Sequence, residues 1–177
     1  IVLADPPWEL RRGPPWNSGG TSLPLPYSTL SIEDIKNIPV KDIVKDDAHL
    51  YLWVVNKYIC ESYAIAKAWG FNVSCLLSWC KPKHGIGLGG TFVQTTEHLL
   101  FCRRGTLTAR KRIDTTWFVH KRLRHSEKPP MFRDMIVEVS GNLPRIELFA
   151  RQKVDGWDSL GYDIDGKDIR NSIKDLQ

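Results

Sequence analysis

The stretch IVLADPPWEL (residues 1–10) decides how this chain is read. Its first four residues are uninterruptedly apolar, the pattern of a short strand buried on both faces. That strand runs straight into Asp5, Pro6, Pro7 and Trp8 instead of a Gly, Asn or Ser turn. In open α/β sheets, ligands bind beyond the carboxyl ends of the strands. Asp5 offers acceptor oxygens at such an end, and Pro6, with its fixed φ and no N–H, stiffens the turn. Trp8 offers a flat face on which a base can stack. Two acceptors beside a π-surface suit an exocyclic amine on a heteroaromatic ring, such as the 6-amino group of adenine. Acceptors that localise the amine lone pair help most in the transition state, where charge develops. The same residues read equally well as a proline-stiffened corner with Trp8 packed in the core.

Outward from this stretch, strands and helices alternate. SIEDIKNI (31–38) reads as a short helix with Ser31 as N-cap and acids in its first turn, stopped by Pro39. AHLYLWVV (48–55) is a central strand, KYICESYAIAKAW (57–69) a helix ending at Gly70, and FNVSCLLSWC (71–80) a third strand. TEHLLFCRR (96–104) is another strand, PPMFRDMIVEVS (129–140) a helix with proline at its start and Gly141 at its end, and RIELFA (145–150) a strand. WDSLGYDI (157–164) reads as a last short strand and GKDIRNSIKDL (166–176) as a final helix. The expected fold is therefore α/β, a mostly parallel sheet with helices on both faces, forming a single domain over 1–177. The chain lacks an initiator Met and opens inside a strand, so residues upstream of Ile1 are expected to be missing.

A length of 177 residues, with 42% hydrophobic and 25% charged, suits one domain with a real core. No apolar run is long enough to span a membrane, and no signal-peptide pattern is present, which favours a cytoplasmic protein, or a nuclear one in a eukaryote. Cys60, Cys75, Cys80 and Cys102 form no C-x-x-C pair and read as reduced, buried thiols, with no metal site. The net charge is +5 and the pI about 9.1. Much of that charge is concentrated in one segment, where Arg103, Arg104, Arg110, Lys111, Arg112, Lys121, Arg122 and Arg124 face a single acid, Asp114. Such a segment reads either as a solvated loop or as a phosphate-binding surface. GIGLGG (85–90) meets G-x-G-x-x-G in form, but it leads into a strand rather than opening a helix, so it is not read as a dinucleotide loop.

DPPW at a strand-to-loop junction resembles the catalytic motif of amino-group methyltransferases that use S-adenosylmethionine (AdoMet). ADPPW (4–8), LPYSTLS (25–31), LYLWV (50–54), GFNVSCLLSWCK (70–81), EHLLFCRRG (97–105), HSEKP (125–129), RIELFAR (145–151) and GWDSLG (156–161) together resemble the MT-A70 family, in the family's order and over nearly the whole chain. That family contains the mRNA N6-adenosine methyltransferase catalytic subunit and its DNA-acting relatives. The resemblance implies a Rossmann-like AdoMet methyltransferase fold in permuted order, catalytic motif first and cofactor motif last. It implies that Asp5 and the Pro6 carbonyl accept from the target amine, within the Asp5-Pro6-Pro7-Trp8 motif, and that Trp8 stacks on the base. It places Asp5, Lys128, Glu147, Phe149, Arg151, Gln152, Lys153, Gly161, Tyr162 and Asp163 beside the cofactor. A fixed Lys128 ammonium suits the cofactor carboxylate. Glu147 is alternatively a partner for a neighbouring base, Phe149 alternatively core, and Tyr27 either a gate over the active site or packing for its loop. Lys81, Lys83 and His84, with Tyr27 and the basic residues above, are assigned to the substrate; the 81–125 segment is expected to face it. One departure stands out: where many members carry Gly-Asn followed by Glu or Gln, this chain has Gly161, Tyr162 and Asp163.

The leading expectation is methyl transfer to adenine N6 in a polynucleotide, DNA favoured over RNA, by a protein that works as a homo- or heterodimer. A non-catalytic nucleic-acid-binding module on the same fold is the alternative from another class. A small-molecule methyltransferase has no need of eight positive charges in one segment.

Overall fold

The computed structural model describes residues 1–10, 28–82, 91–124 and 126–176. Tyr27, Lys83, His84 and the 85–90 glycine segment lie outside the described residues. The elements are β1 (Val2–Ala4), α1 (Ile32–Lys36), β2 (Ala48–Val54), α2 (Ile59–Ala68), β3 (Asn72–Cys80), β4 (Thr96–Arg104), β5 (Trp117–Val119), α3 (Met131–Ser140), β6 (Ile146–Leu148), β7 (Asp158–Leu160), α4 (Tyr162–Asp165) and α5 (Ile169–Lys174). They match the expected order with two differences. The basic segment contains a three-residue edge strand, β5, too short to show a period. The segment read as one strand over 157–164 is a strand that ends at Leu160 and turns at Gly161 into α4.

The sheet order is β5-β3-β4-β2-β1-β6-β7. β4 is antiparallel to both its neighbours, β2 and β3; the other pairings are parallel. β2 is buried along its whole length, which is why its sequence is an apolar run with no polar alternation, interrupted only by the buried His49. Its side chains nevertheless divide between two cores. Leu50, Leu52 and Val54 meet Ile35 of α1, Ile65, Ala66 and Trp69 of and after α2, and Ile169 and Ile173 of α5. Tyr51 and Trp53 meet Phe132, Met135 and Ile136 of α3 on the opposite face. Two-sided coverage of this kind is the α/β Rossmann-like arrangement.

Local signals explain several boundaries. The Ser31 hydroxyl accepts from the Asp34 N–H at 3.0 Å, capping α1 as its sequence predicts. Pro130 precedes α3, and Gly141 ends it at φ +90. The thiols are more varied than expected. Cys102 is buried, and burial pushes its pKa up to about 12, but Cys60 is exposed. No described helix is long and apolar enough to cross a membrane.

Because β4 runs against the rest, its first residues share an edge with the carboxyl ends of the parallel strands. Asp5, Asn56, Lys81, Glu97, the 120–124 segment, Phe149–Lys153 and Gly161–Asp163 follow or begin strands along that edge. Arg103 and Arg104 close β4 at the other edge, paired with His49 and Ala48 at the start of β2.

Candidate active site

β1 lies between β2 and β6, and its carboxyl end is the point where successive connections leave on opposite sides, the usual ligand crevice of an open sheet. Asp5 stands at that point, its N–H on the Leu148 carbonyl at 3.4 Å. Lys128, from the loop before α3, places Nζ 2.7 Å from Asp5 Oδ2 and 3.3 Å from Glu97 Oε2. Glu97 also accepts from Lys81. Burial alone would lower the Lys128 pKa, but Asp5 and Glu97 outweigh it and hold the ammonium above its ordinary value. Burial would raise the Glu97 pKa; Lys128 and Lys81 hold it below the ordinary carboxylate value. Lys81 goes the other way, lowered by burial more than Glu97 restores.

The turn itself is rigid. The Pro6 carbonyl accepts the Trp8 N–H at 2.9 Å, and the Pro7 carbonyl accepts the Leu30 N–H at 2.9 Å. A carbonyl oxygen has two lone pairs, so Pro6 keeps one for a ligand. Trp8 corrects the sequence reading. It is 4% exposed, its indole N–H donates to the Trp53 carbonyl at 3.2 Å, and its ring stacks on Tyr58 at 5.5 Å. Its face is filled by protein, so the core alternative holds and the base-stacking role is withdrawn.

β6 and its following loop supply the next wall. Arg133 of α3 clamps both Glu147 oxygens, at 2.8 and 2.9 Å, so of the two readings of Glu147 the ion pair is the one present. Phe149 packs partly against the core on the α2 face, with its backbone at φ +63, a conformation uncommon for a non-glycine residue. Arg151, Gln152 and Lys153 are exposed, as are Tyr162 and Asp163 beyond β7. Gln152 lines a groove of about 490 Å³ with Pro130, Arg133 and Trp157. Gly161 has a steric reason to be glycine. A Cβ there would stand 2.3 Å from the Ala150 carbonyl oxygen, because the two strand ends approach backbone to backbone.

The basic segment does not act as one surface. Arg103 and Arg104 lie at the far edge, where Arg104 pairs with Asp46 at 3.5 Å and Arg103 lies 5.3 Å over the Phe101 ring. The Arg110 N–H donates to the Val139 carbonyl, and Lys111 pairs with Glu138 at 2.9 Å, both near the end of α3. Arg112 pairs with Asp114 at 3.3 Å. Acids from distant segments thus offset two of these bases, Arg104 and Lys111. The structure therefore sets Arg103, Arg104, Arg110 and Lys111 apart from the Asp5 edge. Lys81 is tied to Glu97 with its side chain 8% exposed, not free for a phosphate. Lys121, Arg122 and Arg124 follow β5 at the same edge as Asp5 and are exposed.

The MT-A70 family model matches residues 1–163. The chain belongs to the MT-A70 family. Among its relatives, the type II methyltransferase M.MunI of a Mycoplasma species is 27% identical over 182 residues, covering 93% of this chain and 77% of M.MunI. The human METTL3 N(6)-adenosine-methyltransferase catalytic subunit is 28% identical over 177 residues, covering 94% of this chain and 28% of METTL3. A probable N(6)-adenosine-methyltransferase of Oryza sativa is 25% identical over 174 residues, covering 94% of this chain and 23% of the rice protein. The chain therefore spans about a quarter of the length of these two eukaryotic MT-A70 relatives.

MT-A70 methyltransferases imply AdoMet, and the chemistry of the donors present bears on it. A zwitterionic amino-acid group needs a fixed cation and a fixed anion side by side, and Lys128 and Asp5 supply them at 2.7 Å. Hydroxyls need acceptors, and Asp163 is exposed on the same edge. The residues fit. Two residues of this MT-A70 site were not legible in the sequence: Glu97 and Arg133 sit in segments read only as strand and helix. An acid heading an apolar strand, and an arginine in the first turn of a helix where a carboxylate is the commoner choice, were the available signals.

Proposed function

We propose that this chain transfers the methyl group of AdoMet to the 6-amino group of adenine in a polynucleotide, with DNA the favoured substrate. The observation that carries the reading is the Asp5–Lys128 pair at the carboxyl end of β1, held within an intact DPPW turn. The likeness to M.MunI, a type II methyltransferase matched over 77% of its own length, supports methyl transfer. AdoMet, when bound, would supply an electrophilic sulfonium methyl group and depart as the neutral thioether, while the proton displaced from the methylated nitrogen would be shed to solvent. Asp5 accepts one proton of the target amine in a hydrogen bond, and the free lone pair of the Pro6 carbonyl accepts the other. Both are fixed before the amine arrives, so they favour the charge that develops on nitrogen without reorganising. Lys128 holds the cofactor carboxylate, and Asp163 accepts from cofactor hydroxyls. Lys121, Arg122 and Arg124 contact phosphates flanking the target. In duplex DNA the base must leave the stack to reach Asp5. Pairing with a second copy or a related subunit is part of this reading.

The test is labelled AdoMet with single-stranded DNA, duplex DNA and RNA oligonucleotides in parallel, followed by digestion and analysis for N6-methyladenine. Label on DNA supports the reading in full; label on RNA alone reassigns the polymer. No label on any of the three, with AdoMet still bound, leaves the non-catalytic binding module.

A further inference from the structure

Glu97 has no part in the reaction just described, yet its carboxylate joins the two lysines of the active-site edge. One oxygen accepts from Lys81, and the other lies 3.3 Å from Lys128 Nζ. A run of alternating charge, Lys81–Glu97–Lys128–Asp5, therefore crosses the ends of β3, β4 and β1. Both ammonium groups also rest near indoles, Lys81 4.4 Å from the Trp79 ring and Lys128 5.3 Å from the Trp53 ring. Partly buried ion pairs rarely add stability over apolar residues of the same volume. Four charges in this setting call for a task that needs charge.

The two carboxylates on one ammonium supply one. With Asp5 as its sole partner, the Lys128 ammonium would bind Asp5 fully and leave it a poor acceptor. It also could not leave Asp5 without becoming an uncompensated buried charge. Glu97 offers the ammonium a second anion at 3.3 Å, and Lys81 fixes Glu97 in place. We propose that Glu97 is a positioning residue for methyl transfer: by sharing the Lys128 ammonium, it keeps an Asp5 oxygen available to the target amine. The proposal rests on the adenine-methyltransferase reading above.

Two variants and a titration test it. In Glu97→Gln, kcat falls about tenfold or more while KM for AdoMet and polynucleotide stays within about threefold, since the loss is one of alignment rather than binding. Glu97→Gln combined with Lys81→Met removes the stranded Lys81 charge; it recovers the melting temperature but not kcat. A kcat within about twofold of the parent in Glu97→Gln, or one restored by Lys81→Met, overturns the proposal by reducing Glu97 to a neutraliser of Lys81. If the parent protein methylates no polynucleotide, the functional reading fails on its own. The Lys128 amine, followed by NMR in cofactor-free protein, then decides: a midpoint that drops in Glu97→Gln supports the shared ammonium, and an unmoved one overturns it.

Discussion

Lys128 Nζ lies 2.7 Å from Asp5 Oδ2, although 123 residues separate them. The contact joins the end of β1 to the loop that feeds α3, so the site closes only when both halves of the fold are in place. Asp5→Ala removes a pre-organised acceptor and should lower turnover by about 10² to 10³. The fold should persist, because Lys128 retains Glu97. Steady-state kinetics beside a thermal melt measures both, and near-parent turnover would remove Asp5 from the chemistry.

Trp8 makes the opposite prediction to a ligand-stacking tryptophan. Trp8→Ala should cost about 3 to 5 kcal/mol in urea unfolding, the range for a large core aromatic. Trp8→Phe should cost less, through the lost hydrogen bond to Trp53, and leave KM for the polynucleotide unchanged. A raised KM with unchanged stability would return Trp8 to the substrate.

The split of the basic segment predicts two unlike triple variants. Replacing Lys121, Arg122 and Arg124 by Gln should flatten the dependence of log affinity on log salt, by roughly 0.9 per lost phosphate contact on B-DNA. Replacing Arg103, Arg104 and Arg110 should leave that slope alone. Equal effects from both sets would mean that DNA wraps the far edge as well.

His49 and His98 give a pH dependence of stability. Burial lowers both pKa values below the ordinary imidazole value of 6.5, and His49 is held by Ser140 and the Leu107 carbonyl. The unfolded chain therefore binds more protons as pH falls below 6.5, and the folded state loses ground there. Their contribution is fully present above that value and declines as pH falls towards the folded-state pKa values. Urea midpoints taken from about pH 8 to about pH 5 should fall on the acid side. The fall should be shallower in His98→Asn.

Gly161→Ala would put a methyl group 2.3 Å from the Ala150 oxygen and strain the Ala150 N–H bond to the Leu160 carbonyl, now 2.9 Å. Overpacking against backbone typically costs about 1 to 3 kcal/mol. A lower melting temperature and weaker AdoMet binding in calorimetry are the expected pair of results. A melt matching the parent would show that the strand ends can part without cost.

Much of this was written locally. β2 is legible because a strand covered on both faces has to be almost wholly apolar, and Ser31 and Gly141 mark helix ends by caps that act within a few residues. Trp8 was not, because a tryptophan after a strand looks the same whether a base or Tyr58 covers it, and Tyr58 is set by a distant turn. The basic segment misled for a related reason. Sequence neighbours such as Arg104 and Arg122 are sent to opposite edges by the direction of β4, and Asp46 and Glu138, which answer part of the charge, come from elsewhere in the chain. Glu97 became visible only once the pairing of β3 with β4 set it beside Lys81.

The reversed direction of β4 has a practical use. The seven steps from Glu97 to Arg104, at about 3.4 Å each, put the turn after Arg104 roughly 25 Å from Glu97. Thr108 and Arg110 are exposed there, so a fluorophore or affinity tag attached at 108–110 gives a handle for watching the protein on a polynucleotide while the Asp5 edge stays clear.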